Sequence, residues 1–265
     1  MSDSNYEQRF GGIGRLYGEQ ELGCIRAMHV CVIGLGGVGS WAVEALARTG
    51  VGNLTLIDYD TIAVSNINRQ LQATDNTLEK KKADVLAARV KSINPECNVK
   101  IIDNFITLDT LADYLDRGYS YVIDAIDSIK FKSGIIYYCK RNKIPVITTG
   151  GAGGLIDPTQ IKIRDLNKTH NDPLAAKVRS FLRSQYGYTR NAQRYFGIEC
   201  VYSLEQPRYP KQDGKVGFEK PGIHGISMDC NFAYGSSTMV TASFGFVAAA
   251  RVIEKTLKKF NAQKN

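Results

Sequence analysis

The sequence predicts an α/β protein with a doubly wound, mostly parallel, Rossmann-like sheet, a basic insertion and a C-terminal helix. Three observations carry that expectation. Apolar, β-branched runs alternate with helix-patterned segments from residue 28 to residue 149. The first run stops at a glycine cluster with a helix pattern directly behind it, and the second run ends in an acid, Asp58.

The elements follow in order. Residues 28–33 (MHVCVI) form an apolar run that reads as a strand buried on both faces. Residues 39–49 read as a helix with Trp41, Ala42, Ala45 and Leu46 on one side. Residues 53–58 make the second strand, and a helix over 80–93 directs Leu86, Val90 and Ile93 inward until Pro95 stops it. Strands at 99–102, 121–123 and 145–149 alternate with helices at 108–115 and 129–141. Past Gly150-Gly151-Ala152-Gly153-Gly154 the rhythm breaks. One strand over 160–164 and a helix over 173–186 are followed by a stretch rich in Tyr, Arg, Lys, Pro and Gly. The expected organisation is a single unit over 1–265. It comprises a helical arm at 1–27, a nucleotide-binding core at 28–158, a basic insertion at 159–235 and a C-terminal helix at 236–265.

Composition narrows the class of function. With 265 residues, 43% apolar and 23% charged, the chain has material for a large core, which excludes disordered, collagen-like and disulfide-scaffold proteins. The net charge of +8 favours polyanionic partners such as nucleic acid or an anionic membrane surface, although solubility alone also explains such a surplus. Between Thr159 and Lys220 there are twelve Lys/Arg against six Asp/Glu. The six cysteines (Cys24, Cys31, Cys97, Cys139, Cys200 and Cys230) form no C-x-x-C pair, so a structural zinc site is not expected. The polar start, MSDSN, lacks a secretory pattern, so reduced thiols and a cytoplasmic location are expected. Residues 238–253 are apolar but short for a membrane span and carry Arg251, so they read as a buried core helix without membrane insertion.

Chemistry concentrates around the glycines. Gly34, Gly36, Gly37 and Gly39 stand between a strand and a helix, where glycine lets the backbone approach a phosphate and the helix N-terminus offers unpaired N–H groups. Asp58 is placed to accept ribose hydroxyls. These features say nucleotide and leave NAD and ATP both open. The continuation Asp58-Tyr59-Asp60-Thr61-Ile62-Ala63-Val64-Ser65-Asn66-Ile67-Asn68-Arg69-Gln70, with Lys82 heading the next helix, favours adenylyl transfer. Charge shifts onto departing pyrophosphate in that reaction, and fixed cations with magnesium stabilise it most in the transition state. Asp127, just past the strand at 121–123, offers a hard oxygen to Mg2+, or alternatively an N-cap to the helix at 129–141.

The motifs GLGGVG, DYDTIAVSNINRQ, KKKADV and DAIDS, in this order, resemble the ATP-dependent adenylating family of ubiquitin-activating enzymes and the molybdopterin- and thiamine-biosynthesis adenylyltransferases. The resemblance implies that Asp58 holds ribose, that Asn66, Arg69 and Lys82 contact the phosphates, and that Asp127 binds magnesium. Asp60 and Gln70 belong to the same nucleotide-binding set. It also implies a homodimer in which an N-terminal arginine reaches the neighbouring site, Arg15 before Arg9. The segments RFGGIGRLYG, ALARTGVGNLTLID, RNKIPVITTGGAGG, IDPTQIKI, DPLAAKVR and MVTASFGFVAAA are similar to the tRNA threonylcarbamoyladenosine dehydratase branch. That branch implies ATP-dependent cyclisation of the modified adenosine through an adenylated threonine carboxylate, with AMP released. Its partners are the modified tRNA and, in some relatives, a cysteine desulfurase with its sulfur acceptor; a monovalent cation is open as a further cofactor. Catalysis then falls to Arg15, Arg69, Lys82 and Asp127, with no protein nucleophile. Lys162, Arg164, Lys177, Arg179 and Arg183, and Tyr186, Tyr188 and Tyr195 among Arg190 and Arg194, are candidates for RNA contact. The rival readings are an adenylyltransferase for a ubiquitin-like sulfur carrier and a nicotinamide-sensing module without turnover.

Overall fold

Two helices, α1 (Ser2–Tyr17) and α2 (Glu19–Ala27), lead into an alternating series: β1 (His29–Ile33), α3 (Gly39–Arg48), β2 (Asn53–Ile57), α4 (Lys82–Ile93), β3 (Asn98–Ile102), α5 (Leu111–Leu115), β4 (Tyr121–Asp124), α6 (Ile129–Arg141) and β5 (Val146–Thr149). Then come β6 (Ile161–Asp165), α7 (Pro173–Gln185), β7 (Glu199–Ser203), a short hairpin of β8 (Tyr209–Pro210) and β9 (Val216–Gly217), and α8 (Thr238–Ala262). A computed structural model describes residues 2–211, 213–219 and 235–264. Cys230 and His224 lie outside the described residues.

The strand order is β3-β2-β1-β4-β5-β7-β6, parallel throughout except that β6 runs against β7. Alternation along each strand divides the core. Val30, Val32, Leu54 and Leu56 pack on one face with α3, α4 and α8, while Cys31, Ile33, Ile57 and Val122 pack on the other with α6 and α7. β1 lies centrally, with β2 on one side and β4 on the other. The order reverses there, and the strands' carboxyl ends leave a crevice at that point.

Most expected elements agree with the structure to within a residue or two. The expected helix at 108–115 shortens to α5. β7 was not foreseen, and the segment read as an insertion lends two strands to the sheet itself. The apolar C-terminal segment is the core helix expected. Val240, Phe244, Ala248 and Val252 are buried along one side of α8, and Gly245 lets it press on α3. A Cβ at Gly245 would stand 2.5 Å from the Val38 carbonyl oxygen and 2.8 Å from the Ala42 nitrogen. No helix of the described residues is long and apolar enough to cross a membrane.

The five described cysteines are free thiols. Burial pushes Cys97 up to about 11 and Cys139 up to about 12, which makes them inert packing residues. His29 lies edge-on to Tyr119 with Nε2 2.9 Å from Thr55 Oγ1, a structural setting.

Candidate active site

β1 ends at the crevice, and the chain turns through Gly34 at φ +85°. A Cβ there would approach Ile126 Cγ2 at 2.8 Å and the Ala125 carbonyl at 3.0 Å, so glycine alone lets this turn pass the segment after β4. The next residue, Leu35, is clamped from both sides. The Leu35 N–H donates to Asp58 Oδ2 at 2.6 Å, and its carbonyl accepts from Gln72 Nε2 at 2.8 Å. The other Asp58 oxygen accepts the Asp60 N–H at 2.8 Å. Asp58 is thereby fixed in direction while keeping lone pairs for two further donors. Burial pushes its carboxyl above the usual range, and these N–H bonds and the Lys82 charge oppose the push.

The loop after β2 folds over the glycines. Asn66 Oδ1 accepts the Ala63 N–H at 3.1 Å, which leaves the Asn66 amide protons free to donate. The Arg69 side chain passes over Gly37, where a Cβ would lie 3.2 Å from its Cγ, and Arg69 Nη1 rests on the Ser65 carbonyl at 2.6 Å. The Gln70 amide faces Gly36, and its Oε1 accepts from Gln72 at 3.2 Å. Trp41 of α3 donates to the Arg69 carbonyl at 3.0 Å, and Thr238 of α8 donates to the Asn68 carbonyl at 2.6 Å. The cation-bearing loop is thus bolted to two helices. At the head of α4, buried Lys82 donates to Asp60 Oδ2 at 2.7 Å, so Asp60 aims the lysine besides standing beside the crevice itself.

Asp127 lies exposed between β4 and α6. Ser128, not Asp127, occupies the N-cap of α6, so the helix-cap alternative is not realised. Burial, and then the charges of Asp60, Asp58 and Asp127, push the Tyr59 hydroxyl upward. Among the described residues no cluster of three or more His, Cys, Asp or Glu forms a ready metal cage. A single carboxylate beside a phosphate site fits Mg2+, which is held by one or two carboxylates, substrate phosphates and water.

Arg15 and Arg9 stand apart from this assembly. Arg9 donates to the Ile93 carbonyl at 3.1 Å, and nearby Tyr6 donates to the Gly50 carbonyl at 2.6 Å, which anchors α1 at the opposite edge of the sheet. Arg15 is exposed and its side chain has no hydrogen-bond partner among the described residues.

Sequence reasoning missed a buried polar cluster beneath the crevice. Lys132 on α6 is 1% exposed and Asp124 at the end of β4 is 0% exposed, with Lys132 Nζ 3.0 Å from Asp124 Oδ2. Lys132 also donates to the Ile126 carbonyl at 2.9 Å, the peptide just before Asp127. Thr148 donates to Asp124 Oδ2 at 2.7 Å. Asp172 caps α7 through the Ala175 N–H at 2.8 Å and also accepts the Gly151 N–H at 3.1 Å. The Asp172-Pro173 pair is a helix-start signal that could have found this cap. Lys132 on a helix pattern gave no such signal.

The RNA-contact candidates divide. Tyr186 stacks on Tyr137 with centroids 4.3 Å apart, and Tyr188 packs against Phe196, so both are half-buried and engaged by a neighbouring ring. Arg183 bonds to Asn167 and Thr189, and Arg179 to the Thr169 hydroxyl, so both are engaged within the fold.

The ThiF family model matches residues 12–264. The tRNA threonylcarbamoyladenosine dehydratase of Haemophilus influenzae is 56% identical over 255 residues, covering 96% of this chain and 95% of its own. The E. coli tRNA N6-threonylcarbamoyladenosine dehydratase in complex with ATP superposes with a TM-score of 0.87 at 49% identity, covering 97% of each chain. Its AMP complex gives 0.85. The molybdopterin-synthase adenylyltransferase of H. influenzae is 32% identical over 124 residues, 47% of this chain and 51% of its own. The glycine turn, the Asp58 clamp and the Lys82–Asp60 pair all lie within the matched residues, and the chain belongs to the ThiF family, on its tRNA threonylcarbamoyladenosine dehydratase branch.

Proposed function

We infer that this chain is an ATP-dependent enzyme that cyclises threonylcarbamoyladenosine in tRNA with net loss of one water. The observation that carries the reading is the arrangement at the β1–β4 switch point, where Arg69 lies over the glycine turn and Lys82 is held by Asp60 beside the immobilised carboxylate of Asp58. The threonine carboxylate attacks the α-phosphorus of ATP, the bond to the β-phosphoryl group breaks, and pyrophosphate departs. A nucleophile of the same side chain then closes on the activated carbonyl and expels AMP. Carboxylate oxygen leaves poorly as hydroxide and readily as AMP, and the tethered attack gains from proximity.

The chain's residues divide the labour. Asp58 orients the ribose through its free lone pairs. Asn66 donates its amide protons to the phosphates, with Arg69 and Lys82 neutralising charge that grows on the leaving pyrophosphate. Gln70 and the Gly36–Gly37 backbone close the floor. Asp127 would hold magnesium, which when bound draws charge from the phosphate oxygens. A monovalent cation, and a cysteine desulfurase with its sulfur acceptor, complete the partners carried over from the family resemblance.

The chain acts as a single cytoplasmic adenylating unit. It works as a homodimer, with Arg15 serving the neighbouring site. The exposed position of Arg15, away from its own crevice, supports that arrangement. So do the exposed apolar side chains of Val64, Ile67, Met239 and Phe246, which a second copy can cover.

Mass analysis of nucleosides after incubation with modified tRNA, ATP and Mg2+ tests the function. The expected result is AMP release that depends on the tRNA, and a nucleoside lighter by one water. An unchanged nucleoside mass, with pyrophosphate exchange driven instead by a protein ending in Gly-Gly, would return the chain to the sulfur-carrier reading.

A further inference from the structure

Between Leu166 and Ile198 the chain has six lysines and arginines and a single acid, Asp172, which is only 6% exposed. The surface of this stretch therefore carries positive charge almost alone. It continues from β6, whose reversed direction has a geometric consequence. Ile161 pairs with Ser203 at the catalytic edge of the sheet, and Asp165 pairs with Glu199 at the opposite edge. Lys162 and Arg164 are exposed on the same face of this outermost strand, about 7 Å apart, with Ile161 and Ile163 turned the other way.

The loop between α7 and β7 has no regular structure, yet its backbone is tied at successive residues. Asp165 accepts the N–H groups of Phe196, Gly197 and Ile198 at 2.9, 2.7 and 3.2 Å. Asn167 donates to the carbonyls of Asn191 and Arg194 at 3.1 and 2.7 Å, and Lys168 to those of Ala192 and Gln193 at 2.6 and 3.0 Å. Arg183 holds the Thr189 carbonyl at 3.3 Å. A connector needs no such fixation, whereas a surface that must meet a stiff partner gains by losing its entropy before binding. What the fixed loop displays is Arg190 and Arg194, exposed and with side chains that have no hydrogen-bond or ion-pair partner among the described residues, and Tyr195, 71% exposed. The Lys168 ammonium sits 4.8 Å from the Tyr195 ring centroid. An open cavity of about 750 Å³ beside the loop adds Lys140 and Lys143 to the same wall.

We propose that Lys162, Arg164, Arg190, Arg194 and Tyr195 form a docking track for the phosphodiester backbone of the RNA substrate, leading from the catalytic edge to the far edge of the sheet. The track rests on the RNA-modifying reading above. It puts the reacting nucleoside at one end and the grip on the remaining tRNA at the other, so affinity for RNA and chemistry on ATP are separable.

The test uses the full chain with ATP, Mg2+ and full-length modified tRNA. In the triple variant Lys162→Gln/Arg190→Gln/Arg194→Gln, KM for tRNA rises about tenfold or more, with kcat within about twofold, and the log–log salt dependence of RNA binding flattens by about 2–3, since each of the three lost phosphate contacts removes about 0.7–0.9. ATP affinity stays as in the wild type. Tyr195→Ala alone raises KM for tRNA by about fivefold or more through lost base stacking. A triple variant with wild-type KM and salt slope overturns the track while the wild-type chain still turns over. Loss of binding to phosphatidylserine vesicles with an unchanged KM for tRNA overturns it also. A wild-type chain that leaves the tRNA unaltered removes the functional reading, and the track falls with it.

Discussion

Lys132→Met deletes the ammonium that lies 3.0 Å from Asp124 Oδ2 and holds the Ile126 carbonyl at 2.9 Å. Asp124 is left with the Thr148 hydroxyl at 2.7 Å and the Ile126 N–H at 3.3 Å, and no opposing charge. Removing one member of a fully buried pair costs about 3–5 kcal/mol. For a chain of this size that lowers Tm by roughly 6–20 °C, at about 2–4 °C per kcal/mol. The sign with pH follows from burial, which already pushes the Asp124 carboxyl upward against the pull of Lys132. Without the lysine the folded-state value rises further above the unfolded one. The deficit is therefore greatest at neutral pH and shrinks as pH falls through the raised value, where the folded chain takes up the proton. The double variant Lys132→Met/Asp124→Leu has no charge to strand and should recover most of the loss, because apolar replacement of a buried pair is often neutral. Thermal unfolding without nucleotide, at neutral pH and at about pH 5, reads both effects. A single variant within about 1 kcal/mol of wild type, or a double variant no more stable than the single, would refute the reasoning that Lys132 compensates the buried Asp124 charge.

Three other perturbations probe the site and its surroundings. Asp127→Ala should abolish AMP formation with Tm nearly unchanged, since the side chain is exposed; AMP release at the wild-type rate removes the magnesium assignment. Arg15→Ala and Asp127→Ala, each inactive alone, should together regain up to about a quarter of wild-type activity when subunits exchange, because half the dimers are mixed and one site in each is whole. No recovery in demonstrably mixed dimers excludes Arg15 acting across an interface. Arg251 bonds Glu254 at 2.7 Å and, with Nε at 3.0 Å, Glu199. Lys258, then Arg251, hold Glu254 down at about 2, and for Glu199 burial raises the value but Arg251 and Lys255 together hold it below its usual range. Depressed carboxylates stabilise above the ordinary glutamate range and lose that contribution as pH falls toward about 2. The Tm advantage of wild type over Arg251→Gln should therefore be flat near neutrality and vanish in acid; a constant gap at every pH contradicts the ion-pair origin.

How far the sequence is legible depends on the range of the determining contact. The glycine turn and Asp58 are readable because strand, turn and acid lie within one βαβ unit, where Gly34 and Asp58 meet through a single Leu35 N–H. β7 escapes because only Cys200, Val201 and Tyr202 are apolar in a stretch bounded by Glu199 and Ser203. Its place is fixed by parallel pairing with β5, some fifty residues earlier. Lys132 escapes because a cation on a helical pattern reads as solvated; its burial arises only when the first turn of α6 folds back on the end of β4. The alternation of tyrosines and arginines near 186–195 does not reveal that Tyr186 and Tyr188 pack half-buried against neighbouring rings while Tyr195 is largely exposed.

The reversed final strand has one more effect. As the last member of the sheet, β6 presents backbone donors and acceptors with no neighbouring strand among the described residues, the template on which foreign strands add and aggregates seed. Like charges at Lys162 and Arg164 repel an approaching copy of the same strand. Loss of either cation would thus be opposed twice, once through weakened grip on the polyanion and once through self-association, so the two pressures converge on the same pair of side chains.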